Sequence, residues 1–411
     1  GTNTTRMFVN SSPAYTFFNE RDLTQSSYLD ISGTFIFTVN ETSWNGYSRL
    51  PINNTNGSFV STDVTDPDVV TVSSPDNNGN VTVSFNYQYK EKRGTDVIIG
   101  NKTGDGYRAR SGINHSSVVI SQWGSIPLSR NGEQFNKYFG TITAQDIPTI
   151  MTKTSFAYAF CECTLENVSN INNWNIHNVT TLEHAFDGAS NFNSSGISHW
   201  DTSNIISCER AFYRATNFNQ NINSTNIITK EDGTSYVAWN TKKVKDFTSM
   251  FELATNFNNG DISNNSTNPL YFDTTSATTF DSMFKNCTNF NQSMPRENFE
   301  FFLTRSENDT FNYTFTSWDM DLATSISNMF YECTSFNGEI SSWNIQNVMN
   351  FSNLFYKCNN FEQYIGGWKV LPDVNTENMF YLTTKLQETY PYLLNSPTNV
   401  TYFFNLGDTS S

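Results

Sequence analysis

The chain has 411 residues, enough for two or three domains or one extended array, and 37% of them are hydrophobic, with 35 Phe and 19 Tyr. Only 15% are charged, against roughly 25% in ordinary domains, so Asn, Ser and Thr must supply the surface polarity. A net charge of −15 lacks the basic footprint of a nucleic-acid binder and disfavours direct docking on anionic lipid.

No run of about 18 apolar residues is present, so no membrane-spanning helix is expected. The sequence opens GTNTTRMF, with neither an initiator Met nor a basic-then-apolar leader, which fits either a leader already removed or a boundary set elsewhere. From 1 to 147 short alternating runs are broken by turn signals, and no helical period appears. The clearest is VVTVSSPDNNGNVTVSFNYQY, Val69 to Tyr89, where two Val/Thr/Phe/Tyr strands flank a turn whose Asn and Gly accept positive φ. Further strands are predicted at Leu29–Thr38, Asp96–Ile99 and Ser117–Gln122. Residues 1–147 therefore read as an all-β, immunoglobulin-like sandwich domain.

A repeat begins near Pro148. Aligned on one aromatic, its units place Phe160, Phe186, Phe212, Phe251, Phe284, Phe330, Phe355 and Phe380 about 25 residues apart, or that plus an insertion. Three positions later comes a small residue: Cys163, Ala189, Ala215, Ala254, Cys287, Cys333 or Cys358. A large aromatic closes each unit: Trp174, Trp200, Trp239, Phe272, Trp318, Trp343 or Trp368. In FTSMFELATNF, residues Phe247, Met250, Phe251 and Ala254 fall at i, i+3, i+4 and i+7, which predicts one face of a short helix. One such face cannot bury itself alone, so neighbouring units are expected to stack at about strand spacing, hence the small-residue column. The fold class expected is mainly β with short helices: the sandwich-like domain, then a leucine-rich-repeat-like solenoid of about eight coils over 148–386.

Insertions at 223–238, 263–271 and 294–317 enter at one phase of the repeat, so they should emerge on one side. The last unit loses its closing Trp, and 387–411 reads as a cap and tail in which VTYFFNL is a candidate edge strand.

A search for chemistry returns little. The cysteines of the small-residue column are accounted for by packing, and Cys333 with Cys358, in adjacent coils, is the pair expected to bond if the compartment oxidises. His177, His184 and His199 fall at different repeat phases, so stacking would not converge them on a metal. Asp63, Asp66 and Asp68, and likewise Asp319 and Asp321, read as turn acids rather than calcium ligands. No catalytic, cofactor or metal motif appears, and an enzyme is not expected. Asn-x-Ser/Thr sequons number about 20, where composition alone would give roughly a dozen. The candidate glycosylation sites are Asn3, Asn10, Asn40, Asn53, Asn56, Asn80, Asn101, Asn114, Asn167, Asn178, Asn193, Asn223, Asn264, Asn265, Asn286, Asn291, Asn308, Asn312, Asn350 and Asn399.

The recurring pattern, seen as MFYECTSFNGEISSWNIQNV, AFDGASNFNSSGISHWDTSNI and MFKNCTNFNQSM, resembles the BspA-like leucine-rich repeats, especially the Phe/Trp-rich surface-protein repeats of mycoplasmas. The resemblance covers about 148–386. It implies an exported, non-enzymatic surface protein with no shared binding residue to carry over. The expected function is extracellular adhesion or recognition of a protein or glycan ligand, without a cofactor. The alternative is a self-assembling subunit of a fibril or surface layer, joined to copies of itself by strand addition or end-to-end stacking.

Overall fold

The computed structural model describes residues 28–39, 70–72, 80–90, 118–123, 128, 130–263, 268–394, 400, 403 and 404. Among these the chain is mostly non-helical, with short strands, one α-helix and no closed barrel. It divides into two compact units, 1–179 and 180–411.

In the first unit, β1 (Tyr28–Val39), β2 (Val70–Val72), β3 (Asn80–Lys90), β4 (Val118–Gln122) and β5 (Thr141–Ile142) form one sheet in the order β2-β3-β1-β4-β5. The alternating Val/Thr runs pair as the turn chemistry predicts: β2 is antiparallel to β3, with Val72 opposite Val83. β1 lies antiparallel to β3, with Tyr28 opposite Lys90, and to β4, with an irregularity between Ile36 and Phe37. The strand expected at Asp96–Ile99 lies outside the described residues.

β5 joins β4 in parallel, Val119 opposite Thr141, and here the antiparallel sheet gives way to the repeats. The amides of Glu133, Phe135 and Lys137 donate to the carbonyls of Ala157, Ala159 and Cys161 at 2.8, 2.6 and 2.7 Å. Phe135 stacks on Phe160 with ring centroids 4.9 Å apart. Paired repeat structure thus starts at about residue 128, upstream of Pro148. The sequence disguises this turn because its small-residue column holds Tyr138, which is fully buried. Two further short strands, β6 (Thr154–Ser155) and β7 (Val179–Thr181), follow.

In the second unit each turn of chain bonds to the next by one rule. Alternate amides donate forward: those of Phe351, Asn353, Phe355 and Lys357 reach the carbonyls of Asn375, Glu377, Met379 and Tyr381 at 2.7–2.9 Å. The amides between them close local turns instead, Leu354 to Phe351 and Tyr356 to Asn353 at 3.1 Å. The apolar positions at 247, 250, 251 and 254 are therefore not a helix. Phe247, Ser249, Phe251 and Leu253 donate to Thr279, Asp281, Met283 and Lys285 of the next turn, and the helical-looking spacing arises from successive turns that bury the same side chains. A short α-helix, α1 (Thr384–Thr389), follows the last of these turns.

This backbone requires a left-handed residue twice per turn, four positions apart. The pairs include Arg210 and Arg214, Ser249 and Leu253, Ser282 and Asn286, Asn328 and Glu332, and Asn353 and Lys357, with φ between 51° and 65°. Each central φ > 0 is that of a type II turn, which favours Gly or Asn and costs other L-residues about 1–2 kcal/mol. Tertiary packing offsets that cost. Phe186, Phe212, Phe251, Phe284, Phe330, Phe355 and Phe380 stack in one column, 5.0–5.7 Å apart. All are buried, at about 2–3 kcal/mol of transfer free energy each. The Trp column runs parallel, and its indole N–H groups donate to buried carbonyls, Trp239 to Ile197 and Trp343 to Met294.

A third column is polar. The Asn after the second Phe of each unit lends its side-chain oxygen to the matching amide one turn on. Asn193 accepts from Asn219, Asn219 from Asn258, Asn258 from Asn291, and Asn291 from Asn337, at 2.7–2.9 Å.

At the C-terminal end the missing Trp is replaced in space. Phe404 stacks on Trp368 at 6.2 Å, and Phe403 packs edge-on against Phe380. Val400, Phe403 and Phe404 are helical, so the edge strand expected in VTYFFNL does not form there.

Candidate interaction face

The first insertion folds as a hairpin of β8 (Ile227–Thr229) and β9 (Ser235–Val237). Its turn is held by Gly233 at φ 79° and by Asp232, whose carboxylate accepts from the Thr234 amide and hydroxyl. Those bonds, the hydroxyl's first, hold the Asp232 carboxyl below its ordinary range. Tyr236 is half-buried and donates to the His199 carbonyl at 2.7 Å; burial, then nearby Asp201, pushes its phenol up to about 12.

The second insertion is fastened through Asn223. Its amide nitrogen donates to the Pro269 carbonyl at 3.0 Å, and its oxygen accepts from the Tyr271 amide at 2.8 Å.

The third insertion forms the longest hairpin, β10 (Asn298–Ser306) with β11 (Asp309–Thr316). Phe299 faces Phe315, Phe301 faces Tyr313 and Leu303 faces Phe311 on its inner side, while Glu300, Phe302, Asn312 and Thr314 are exposed on the other. This inner side meets both other insertions. The Thr304 amide donates to the Ser235 hydroxyl at 2.8 Å, and the Phe299 ring lies 4.9 Å from that of Tyr271. The Tyr313 hydroxyl reaches Asn240 Oδ1 at 3.0 Å and Asp273 Oδ2 at 3.4 Å. Asp273 has no exposed surface, and burial raises its carboxyl above the ordinary value. Burial and the Asp273 charge likewise push the Tyr313 phenol far up. One common phase of insertion has thus produced three interlocked segments, with Phe302 76% exposed upon them. Sequence reasoning missed Ser235, Asn240, Asp273 and Tyr313. The period-two alternation in NFEFFLT and DTFNYTFT was the available signal for the hairpin.

The structure sorts the sequons. Asn167, Asn308 and Asn312 are exposed. Asn193 and Asn291 belong to the asparagine column, Asn350 caps a turn by accepting from the Ser352 amide, and Asn178 donates to the Ile150 carbonyl. Asn223 is 4% exposed and bonded at both ends of its amide, and Asn286 is half-buried. Asn80 lies in β3; Asn3, Asn10, Asn40, Asn53, Asn56, Asn101, Asn114, Asn264, Asn265 and Asn399 lie outside the described residues.

All six cysteines are buried and free, and Cys333 and Cys358 are not joined. Each thiol instead donates to a carbonyl of a preceding turn, Cys333 to Phe284 and Cys358 to Phe330, both at 2.7 Å. Desolvation raises both thiols well above their ordinary value. His184 Nδ1 lies 2.8 Å from Asp187 Oδ2, whose other oxygen accepts from Arg214, and His199 Nδ1 contacts Ser198. Asp319 accepts from the Asp321 amide in a turn, while Asp63, Asp66 and Asp68 lie outside the described residues. Among the described residues no group of three or more His, Cys, Asp or Glu could hold a metal ion. No helix among them is long and apolar enough to cross a membrane.

No curated protein and no solved structure matches this chain. Residues 154–235, 233–302 and 297–409 each match a single family model, and the segments cover all of the second unit's Phe and Trp columns. The chain accordingly belongs to the family described as Mycoplasma protein of unknown function, DUF285.

Proposed function

We propose that this is a non-catalytic extracellular surface protein: a β-sandwich-like domain followed by a BspA-like solenoid of about eight coils, used for adhesion or recognition of a protein or glycan. The observation that carries the reading is the interlocking of the three insertions, because chain that serves only as a connection has no need to be fastened to other connections. The forward-donating ladder and the stacked Phe column support the solenoid, and the parallel bridges from Ser207 through Asp246, Thr279, Ser325 and Asn350 to Asn375 agree with it. Exposed Asn167, Asn308 and Asn312 are the sites at which sugar would be carried in a glycosylating source. Replacing 296–317 by a short linker is expected to abolish binding to a panel of immobilised glycans and extracellular proteins, with the far-ultraviolet dichroism retained. Binding that survives the replacement sinks the recognition reading.

A second reading, a self-assembling structural subunit, is favoured by the last turn. The amides of Thr376, Asn378, Phe380 and Leu382 occupy the forward-donating positions, yet no described residue accepts from them. Electron microscopy of the purified protein tests it: regular filaments support assembly, and single particles at every concentration oppose it.

A further inference from the structure

The outer side of the long hairpin carries an aromatic that the fold does not use. Phe302 is 76% exposed in the middle of β10, while its neighbours Phe301 and Leu303 supply the inner packing against Tyr313 and Phe311. In the register of the hairpin Phe302 stands directly opposite Asn312 of β11. Side chains so opposed share one face of the sheet, with Cβ atoms about 4.5–5.5 Å apart. Asn312 opens the sequon Asn312-Tyr313-Thr314. Of the three exposed sequon asparagines among the described residues, Asn312 alone stands in a paired strand. Asn308 lies in the turn between Ser306 and Asp309, and Asn167 lies in no strand.

The size of the apolar surface indicates what covers it. Glu300, Thr310 and Thr314 around the ring are polar and exposed, so the surface is one ring wide. That matches one sugar and falls far below the roughly 800 Å² per partner of a stable protein interface. We propose that Asn312 is N-glycosylated and that its first sugar, an N-acetylhexosamine, lies on the Phe302 ring. The C–H groups of one sugar face meet the electron-rich face of the phenyl ring, and the hydroxyls stay in water. The glycan comes from a polyprenyl-diphosphate-linked donor. The bond from sugar C1 to the phosphate oxygen breaks, C1 bonds to Asn312 Nδ2, and the displaced amide proton leaves with the diphosphate. The nitrogen keeps one N–H, so its hydrogen bond to Glu300 Oε1 is retained. This inference rests on the reading of an extracellular protein in a glycosylating source, and it does not depend on ligand recognition.

The first test is peptide mapping by mass spectrometry of the full chain isolated from its source. A glycan on Asn312 is expected, and an unmodified Asn312 overturns the proposal. The second test reads the contact with Phe302 by amide hydrogen exchange in β10 and β11. It compares the full chain, secreted by a glycosylating host, as wild type, N312Q, F302S and F302S/N312Q. Phe302 is exposed, so F302S leaves the inner side of the hairpin intact. With Phe302 present, N312Q should speed exchange about fivefold, and in the F302S background less than about twofold. Equal acceleration in both backgrounds overturns the contact. Trimming the glycan to its first sugar should preserve the slow exchange, and its loss on trimming overturns the assignment to that sugar. On the panel of immobilised glycans and proteins, N312Q and F302S should bind alike. Loss of binding by F302S alone gives the ring to an external ligand, which overturns this proposal and supports the recognition reading. Failure of the 296–317 replacement test sinks recognition and leaves the state of Asn312 untouched.

Discussion

Ser282 offers a clean measure of what the turn geometry costs. It sits at φ 59°, its amide donates forward to Ser327 at 2.8 Å, and its carbonyl accepts from Lys285 at 3.1 Å. All of those are main-chain bonds, so Ser282→Gly leaves the ladder untouched. A left-handed L-residue costs about 1–2 kcal/mol, which glycine avoids. Glycine in turn loses about 0.5–1 kcal/mol more chain entropy on folding. The difference leaves Ser282→Gly more stable by about 0.5–1 kcal/mol, while Ser282→Ala keeps the strain and stays near the wild type. Ser276, in the same unit but without positive φ, serves as the control. There the same change to Gly should destabilise by about 0.5–1 kcal/mol, because only the entropy term remains. Urea midpoints at unchanged slope would read all three. If Ser282→Gly proves no more stable than Ser282→Ala, the left-handed positions are not strained and the account of the turn is wrong.

Asn258 is 1% exposed and accepts from the half-buried Asn291 amide, so Asn258→Ala removes that bond and leaves the donor without its partner; a loss of about 1 kcal/mol in urea unfolding is expected. Asp273 supplies a pH signature. Its carboxyl is raised above 3.8 in the fold, so between that value and the folded pKa the native state binds more protons than the unfolded chain. Stability from this group therefore falls as pH rises through that window, and Asp273→Asn should flatten the slope of urea midpoint against pH; an unchanged slope would exclude Asp273 as its source. At the C-terminal end, Phe404→Ala should cost about 3 kcal/mol by uncovering Trp368, with hydrogen exchange rising in the last turn before the rest.

The columns were legible in the sequence because burial constrains side chains, and side chains are what a sequence records. Phe330, Cys333, Phe336 and Trp343 are all buried, in the register that the repeat implies. The backbone was not legible. Apolar spacing at 247, 250, 251 and 254 fits a helix and fits a run of turns equally well. The distinction lies in which carbonyl each amide reaches, and no side chain declares that. The left-handed positions left only a faint trace, in Asn286, Asn328, Asn353 and Gly188, since most units hold another residue there against its preference. The turn at Phe135 is hidden in the sequence because a tyrosine fills the column that elsewhere holds Ala, Cys or, in the last unit, Thr383. The interaction face was half legible: equal phase placed three insertions on one flank, but nothing in the repeat pointed to Asp273 beneath Tyr313. The sequon excess has a structural origin in part. Asn193, Asn291 and Asn350 are required by the ladders, and a neighbouring Ser two places on completes the motif.

Interlocking also bears on how such an array can change length. Units with bare connections are interchangeable, since each presents donors ahead and acceptors behind, and one could be duplicated or dropped with its neighbours rejoining. The units that carry insertions have no such freedom. Asn223 must find Pro269, and Tyr313 must find Asn240 and Asp273, so the residues from 223 to 317 form an indivisible block. Across relatives, repeat number should vary on the flanks of that block and stay constant within it.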